Sequence, residues 1–373
     1  MSDIPPQAAI IKETEKLWGT DLIPVGCPHC QRVFLMPAWA GETSCPLCRQ
    51  GKLQPQDVRM RPAEPEKLLP FRITKADLEN IYDAFISPVW LKPEDFKPDR
   101  LLRRTQPIFW PLWLVDTLAT GHWQMEAGFD YQVQSTKETY TNGQWISRKE
   151  IEGRVRWEPR LGKVNTQVEN VSVPALEEHE NRQALTGGYH HKSAQVFSPK
   201  LLGEAILEAP DLPPEDAWPT ALPLIKNRLA AVCARAAGAG HQRNFAVKAS
   251  YQDQHWTQYL LPMFTTYYLD DDAQPHILVV NGETGSIQGP RLASRKKGNQ
   301  IGLIIAASAA GLFLLALIGL ILSMVFPPAG LIAAVLGFLG LIVGGAALIP
   351  LIWPAQWNRK QRGLHLVTGR HTQ

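Results

Sequence analysis

Between Lys297 and Arg359 the chain carries no Asp, Glu, Lys or Arg. Two apolar runs, 301–326 and 331–353, fill that gap, separated only by Pro327-Pro328-Ala329-Gly330. As helices they would extend roughly 39 and 35 Å at about 1.5 Å per residue, enough to cross a hydrocarbon core of about 30 Å with some tilt. Inside lipid every backbone N–H and C=O must bond within its own segment, so each run is expected to be helical. The Pro-Pro and Gly break makes them an antiparallel hairpin. A soluble core of this chain length is too small to cover so long an uncharged stretch.

Basic residues flank the hairpin on both sides. Arg291, Arg295, Lys296 and Lys297 precede it, Arg359, Lys360, Arg362 and Arg370 follow it, and the connecting turn has none. The positive-inside rule then places both chain ends in the cytoplasm. Trp353 and Trp357 close the second helix, where interfacial indoles are favoured. The first eighteen residues include Asp3, Lys12, Glu13, Glu15 and Lys16 and no apolar core, which argues against a signal peptide. The roughly 290 residues ahead of the hairpin are therefore expected in the cytoplasm. Net charge is +3, much of it beside the apolar runs. Such clusters favour anionic headgroups by roughly 1 kcal/mol per basic residue, but the asymmetry is too small to indicate nucleic acid. Thirty prolines and twelve tryptophans point to β-rich, turn-rich soluble parts.

Four of the five cysteines form Cys27-Pro28-His29-Cys30 and Cys45-Pro46-Leu47-Cys48. Two Cys-x-x-Cys pairs have the ligand spacing of a zinc ribbon, each pair a tight knuckle offering two thiolates to one ion at Zn–S about 2.3 Å. The fourteen intervening residues are one short of the usual window, which a short hairpin (strand 33–39, turn at Gly41) accommodates. Four protein ligands leave no open position, so a structural Zn²⁺ is expected. A redox dithiol lacks its strand-to-helix context, and disulfides are disfavoured in a reducing cytoplasm. A rubredoxin-like iron centre shares the knuckles, but Gln31 and Arg49 stand where glycine is common. His29 is read as an exposed turn residue and Cys233 as a small buried core residue.

The expected layout is multi-domain: an N-terminal segment (1–20), a zinc ribbon (21–50), a proline-punctuated linker (51–70), an α+β middle region, a basic juxtamembrane stretch (291–300), the transmembrane hairpin (301–353) and a cytoplasmic tail (354–373). The middle region reads as two helix-plus-antiparallel-sheet units, 71–208 and 209–290. In the first, Thr74-Lys75-Ala76-Asp77 has the form of a capping box before Leu78, Ile81, Tyr82 and Phe85 at helical spacing. The aromatic segment 108–115 suits a buried strand, with Pro111 suggesting an edge or bulge. Asn142-Gly143 is the best short hairpin turn, and Leu161-Gly162 suggests another. In the second unit a helix through Leu224, Ile225, Leu229 and Val232 ends at Gly238, followed by strands over 245–251, 256–268 and 276–281.

The cysteine knuckles, the run Phe-Trp-Pro-Leu-Trp-Leu-Val-Asp at 109–116, Gly128-Phe129-Asp130-Tyr131, Arg156-Trp157-Glu158-Pro159 and Val280-Asn281-Gly282-Glu283-Thr284-Gly285 stand ahead of the hairpin. In this the chain resembles the membrane-anchored zinc-ribbon proteins of bacteria. Some members carry helicase or primosome labels through the ribbon, and some accompany membrane-stress and band-7-type membrane proteins. The resemblance implies a location at the bacterial inner membrane.

No catalytic set emerges. A phosphate-binding Gly-x-x-x-x-Gly-Lys-Ser/Thr loop and a Gly-x-Ser-x-Gly elbow are both missing. His190-His191 reads as a solvated loop, Asp270-Asp271-Asp272 as a turn, and the tryptophans of 110–113 as core. The expected function is a non-catalytic, cytoplasm-facing adaptor that binds a protein partner at the membrane. Ala307 with Gly311, and Gly340 with Gly344, would allow close helix approach within the hairpin or in a homo-oligomer. A nucleic-acid-binding ribbon is the alternative, disfavoured because 27–48 holds only Arg32 and Glu42 as charges. An enzyme with a site between the two α+β units is the third reading.

Overall fold

The computed structural model describes residues 19, 21–37, 41, 43–56, 65–141 and 143–361. In chain order the elements are β1 (Leu22–Gly26), β2 (Val33–Pro37), β3 (Gln54–Pro55), β4 (Pro65–Leu68), α1 (Lys75–Ile86), α2 (Pro98–Arg103), β5 (Gln106–Thr141) and β6 (Gln144–Pro174). They continue as α3 (His179–Thr186), β7 (Gln195–Val196), β8 (Ile206–Glu208), α4 (Pro214–Ala236), β9 (His241–Leu269), β10 (Pro275–Asn281), β11 (Ile287–Gln288), α5 (Arg295–Leu322) and α6 (Pro328–Gln361). All described strands join one mixed sheet in the order β11-β10-β9-β5-β8-β2-β1-β3, with β4 and β6 added on β9 and β5, and β7 on β4. The segments 71–208 and 209–290 thus share one sheet: β5 pairs antiparallel with β9 from Gln106↔Thr265 to Gly128↔His241. The proline-punctuated stretch 51–70 contributes β3 and β4 to it.

Helix α1 forms where the capping pattern places it. Thr74 Oγ1 accepts from Asp77 N, and Asp77 Oδ2 accepts from Thr74 N. Leu78, Tyr82 and Ile86 line its buried side, one turn apart.

Strand lengths depart from the sequence reading. β5 runs for 36 residues and β9 for 29 without a break, and at about 3.3 Å per residue β5 alone has a contour of about 120 Å. Leu161-Gly162 is no turn: β6 passes straight through it, pairing with Gln124 and Trp123. A Cβ on Gly162 would lie 2.8 Å from the Trp123 indole, so the glycine lets a tryptophan lie against the strand. Pro111 sits in an inner strand, at the point where one neighbour hands over to another. On that side β8 stops opposite Phe109 and β6 begins opposite Leu112, a gap that tolerates a residue without an N–H. Gly143 takes φ +80° in the hairpin turn between Thr141 and Gln144, while Asn142 lies outside the described residues.

From Val115 to Gly128 the three strands β6, β5 and β9 form an arm. Helix α4 lies along it, burying Ala217, Ala221, Ile225, Leu229 and Cys233 at every fourth position against Trp113, Val115, Trp123, Val164 and Val171. The helix starts earlier than expected and takes Pro219 and Pro223 into its body, and Gly238, φ +67°, lies just past its end.

At the other end of the sheet, α1, α2 and β10 enclose Tyr82, Phe96, Leu101, Tyr268 and Val280. Phe96 stacks on Tyr268 at 3.9 Å. Helices α5 and α6 leave from this end. Their most apolar 18-residue windows have mean hydropathy 2.6 and 2.5 and are only 11% and 17% buried, unlike the helices of a soluble core. Both are long and apolar enough to cross a membrane. They pack on each other through Gly302, Ala309, Ala333, Gly340 and Ala347. Gly340 and Gly344 do face α5, with Phe313 and Ala309 as neighbours. Ala307 and Gly311 do not face α6. Both are exposed, and nothing lies within 4 Å of a Cβ on Gly311, because the contact stripe on α5 runs through Gly302 and Ala309 instead.

The helix pair is fixed to the sheet without slack. Tyr268 Oη donates to Pro290 O and accepts from Leu292 N, both at 2.9 Å. Asn358 makes a reciprocal pair with the Ala293 backbone at 2.7 and 2.9 Å. Asp271, in the expected turn, accepts from Ser294 Oγ at 2.7 Å and from Lys296 N at 2.9 Å, a carboxylate at the positive end of α5.

Asp95 ties the α1–α2 loop to the end of β9. Its carboxylate accepts from Arg100 (2.6 Å), Arg104 (3.0 Å) and Leu269 N (2.8 Å). Burial pushes its pKa up, but these donors outweigh it and hold the carboxyl at about 2. A carboxyl near 3.9 when unfolded and about 2 when folded contributes about 2 kcal/mol above pH 4, lost as pH falls towards 2. Asp95→Asn is therefore expected to lower stability by about 2 kcal/mol at pH 7 and to flatten the loss between pH 4 and 2. Thermal unfolding of both proteins across that range checks it, and parallel pH curves would count against it.

Candidate metal centre

The first knuckle is the turn of the β1–β2 hairpin. Gly26 pairs with Val33, and the chain between them bends through Cys27–Cys30. The expected strand after it is present as Val33–Pro37, pairing back onto β1 and outward onto β8; residues 38–40 lie outside the described set. The second knuckle lies between Ser44 and Lys52, which form an isolated bridge. In the first, Gln31 N donates to Cys27 O and Cys27 N to Arg32 O, both at 2.9 Å. In the second, Arg49 N donates to Cys45 O at 3.1 Å and Cys45 N to Gly51 O at 2.8 Å.

Gln31 and Arg49 have φ of 59° and 58°. They hold the left-handed conformation that glycine would take at no cost and that another residue takes at about 1–2 kcal/mol. The lack of glycine there, read from the sequence as weighing against iron, loses its force because the backbone adopts the glycine-type bend regardless.

The four thiols converge. Cys27, Cys30, Cys45 and Cys48 are 1, 6, 0 and 2% exposed, and their sulfurs lie within 4.8 Å of one another. Cys27 Sγ to Cys48 Sγ is 3.5 Å and Cys30 Sγ to Cys45 Sγ is 3.6 Å. A tetrahedron with metal–sulfur bonds of about 2.3 Å has sulfur–sulfur edges of about 3.8 Å, so the donor set fits one ion. Neighbouring thiols dominate the acidities. Contact with Cys30 and then Cys48, together with burial, pushes Cys45 up, whereas contacts with Cys30 and Cys45 hold Cys48 well below the usual thiol range. Ionised together, four thiolates this close would need a cation among them, and the cluster could hold a metal ion. His29 is exposed and outside the cluster, and Cys233 is buried under α4, as expected.

Two features escaped sequence reading. Gly51 is one: a Cβ there would stand 2.7 Å from Cys27 Sγ. Its signal was a glycine three residues after the second pair, where the chain must pass over the sulfurs. The other is a buried ion network that joins the knuckles to the sheet. Arg32 donates to Glu208 Oε1 at 2.8 Å and also to Glu178, and Arg182 donates to the same Glu208 oxygen at 2.8 Å. Arg182 and Glu208 are 4 and 2% exposed. Residues 146 and 176 positions from Arg32 leave no local pattern to read.

The other sequence candidates do not assemble. His190 and His191 diverge: the His190 backbone N donates to Glu283 at 2.7 Å, while the His191 ring meets Tyr259 Oη at 3.1 Å. Asp270 spends its oxygens on Asp272 N, Gln274 N and His276, at 2.8–2.9 Å. Trp110 and Trp113 are core, each 1% exposed. A cavity of about 300 Å³ opens beside Trp110, lined by Leu112, His179, Gln183, Tyr189 and His191. His179 has its pKa lowered by burial.

Comparison with protein families, curated proteins and solved structures finds no match to this chain.

Replacing Gly51 by Ala is expected to weaken metal retention roughly tenfold or more, because the methyl displaces a ligand sulfur. Metal analysis of the purified full chain after dialysis against a graded chelator series reads this, and an unchanged chelator midpoint would contradict it.

Proposed function

We propose that this chain is a non-catalytic adaptor anchored in a bacterial inner membrane and facing the cytoplasm. In this reading Cys27, Cys30, Cys45 and Cys48 hold a structural Zn²⁺, and α5 and α6 cross the bilayer as a hairpin with both chain ends inside. The zinc ribbon and the sheet together offer a rigid surface to a protein partner. The observation that carries the reading is the continuous rigid path from the thiol cluster to the apolar helices. The knuckles are pinned to β8 by Arg32, Glu208 and Arg182, and the sheet is pinned to α5 and α6 by Tyr268, Asp271 and Asn358. Four thiolates leave the ion no open position for a substrate or water, which favours a structural role.

Side chains around the helix ends support the orientation. Trp90, 54% exposed after α1, meets Trp353 at 5.6 Å, and Trp353 stacks on Trp357 at 5.1 Å. These indoles lie at the same end of the helix pair as Arg295, Lys296, Lys297, Arg359 and Lys360, the pairing of aromatic belt and basic flank that marks a cytoplasmic interface.

Sodium carbonate washing should leave the full chain in the membrane pellet, and metal analysis should find one zinc per chain. Cys27→Ser together with Cys48→Ser should abolish the zinc without releasing the chain from membranes. Release by carbonate would overturn the anchor, and zinc retained by the double variant would overturn the site.

A further inference from the structure

The third strand of the arm gives out before its end. β9 begins at His241, opposite Gly128, and from there to the hairpin turn β5 and β6 continue as a two-stranded ribbon. Such a ribbon is marginal in water by itself. Among the described residues β6 pairs with β5 alone, so from Gln144 to Leu161 its outer edge presents unpaired backbone groups, whereas further on Arg228 covers Glu169 O and Asn170 O. Its side chains separate by parity. Trp145, Ile151 and Leu161, 69, 64 and 85% exposed, share one face. Arg148, Glu150, Glu152, Arg154, Arg156 and Glu158 share the other.

Between Arg148 and Glu158 the charges on the even-numbered face of β6 are antisymmetric about Gly153. One residue out stand Glu152 and Arg154, three out Glu150 and Arg156, and five out Arg148 and Glu158. Two apolar pairs on the other face are symmetric, Ile151 and Val155 two out and Trp145 and Leu161 eight out, while Trp157 mirrors Lys149 four out. We propose that two copies of this chain join by antiparallel pairing of their β6 edges, centred on Gly153. Identical edges pair only when outward-facing residues meet outward-facing residues, which requires the two residue numbers of each pair to sum to an even number. The register centred on Gly153, with a sum of 306, sets every acid in that run opposite a base of the second copy. It also puts Ile151 beside Val155 and Trp145 beside Leu161. Centring on Glu152 opposes Glu152 to itself and Arg148 to Arg156. Centring on Arg154 opposes Arg154 to itself and Glu150 to Glu158. Like charges directly opposite are destabilising, so both neighbouring registers are disfavoured. The ion pairs that β6 already makes along its own strand, Glu152 with Arg154 at 3.1 Å and Arg156 with Glu158 at 2.8 Å, are exposed and contribute little by themselves.

Gly153 is a second, separate sign. A glycine inside a strand weakens it and marks a place where another backbone comes close. Within one chain nothing lies within 4 Å of a Cβ at Gly153. On the two-fold axis it meets its own copy. The contact is isologous and closes at two chains.

Disulfide trapping of the full chain in detergent or lipid nanodiscs tests this. At the axis the two Cα atoms of residue 153 would lie about 4.5–5.5 Å apart, within disulfide reach. Gly153→Cys should therefore give a covalent dimer under mild oxidation, against the wild-type chain, whose described cysteines are buried, as background. Val155→Cys alone and Ile151→Cys alone should not, because each would lie about 13 Å from its copy, whereas a mixture of the two variants should cross-link. Glu150→Arg with Glu152→Arg should weaken the dimer roughly tenfold or more, and adding Arg154→Glu with Arg156→Glu should restore it. No disulfide at residue 153, equal trapping at 155, or failure of the fourfold swap to restore pairing would each overturn the proposal.

Discussion

The ladder between β5 and β9 is the interaction on which the rest of the molecule depends. It joins residues well over a hundred positions apart, from Gln106↔Thr265 to Gly128↔His241, so closing it carries a large loop entropy. That cost is offset by apolar burial on both sides of the ladder. Trp110, Leu112, Leu261 and Met263 belong to the cluster shared with the cysteine knuckles, and Phe264 and Tyr268 to the cluster shared with α1 and the helix pair. Without this ladder the thiol cluster and the apolar helices would be separate modules on a string. With it, each has a fixed place on a common sheet.

The ion network beside the knuckles follows a different logic. Arg182 is buried, its pKa lowered first by that burial and held up by Glu208, and Glu208 serves two guanidinium groups through one oxygen. Buried pairs of this kind contribute little net stability, because desolvation offsets attraction, yet removing one partner is costly. Their consequence here is positional. Each guanidinium reaches Glu208 only with β2, β8 and α3 in this arrangement, which sets where the knuckles sit on the sheet.

What could be read in advance was local chemistry. The capping box at Thr74, the glycine ending α4, both cysteine knuckles and the two uncharged runs depend on residues a few positions apart, and each is present, the apolar helices with shifted ends at Arg295–Leu322 and Pro328–Gln361 instead of 301–326 and 331–353. The shared sheet was not legible, because strand pairing between 106–128 and 241–265 leaves no trace in either segment alone. Glycine misled in both directions. Gly162 reads as a turn and is a straight strand residue against Trp123, whereas the missing glycines at Gln31 and Arg49 read as weighing against an iron centre, yet both residues take the glycine-type left-handed bend. Which small residues of α5 meet α6 was not legible for a related reason: they recur all around that helix, and only packing selects Gly302 and Ala309 over Ala307 and Gly311.

The junction at Tyr268, Asp271 and Asn358 has a mechanical consequence. No free segment intervenes between β11 and α5, because Pro290 to Lys296 is held by hydrogen bonds at almost every step. A change in inclination of α5 and α6 is therefore passed to β9 and β5 as rotation of a stiff beam. Over the three-stranded part of β5, Gln106 to Gly128, a path of about 75 Å, ten degrees at the root sweeps the far end through roughly 13 Å. The molecule is in that sense a pointer, converting small reorientations of two greasy rods into large excursions far away.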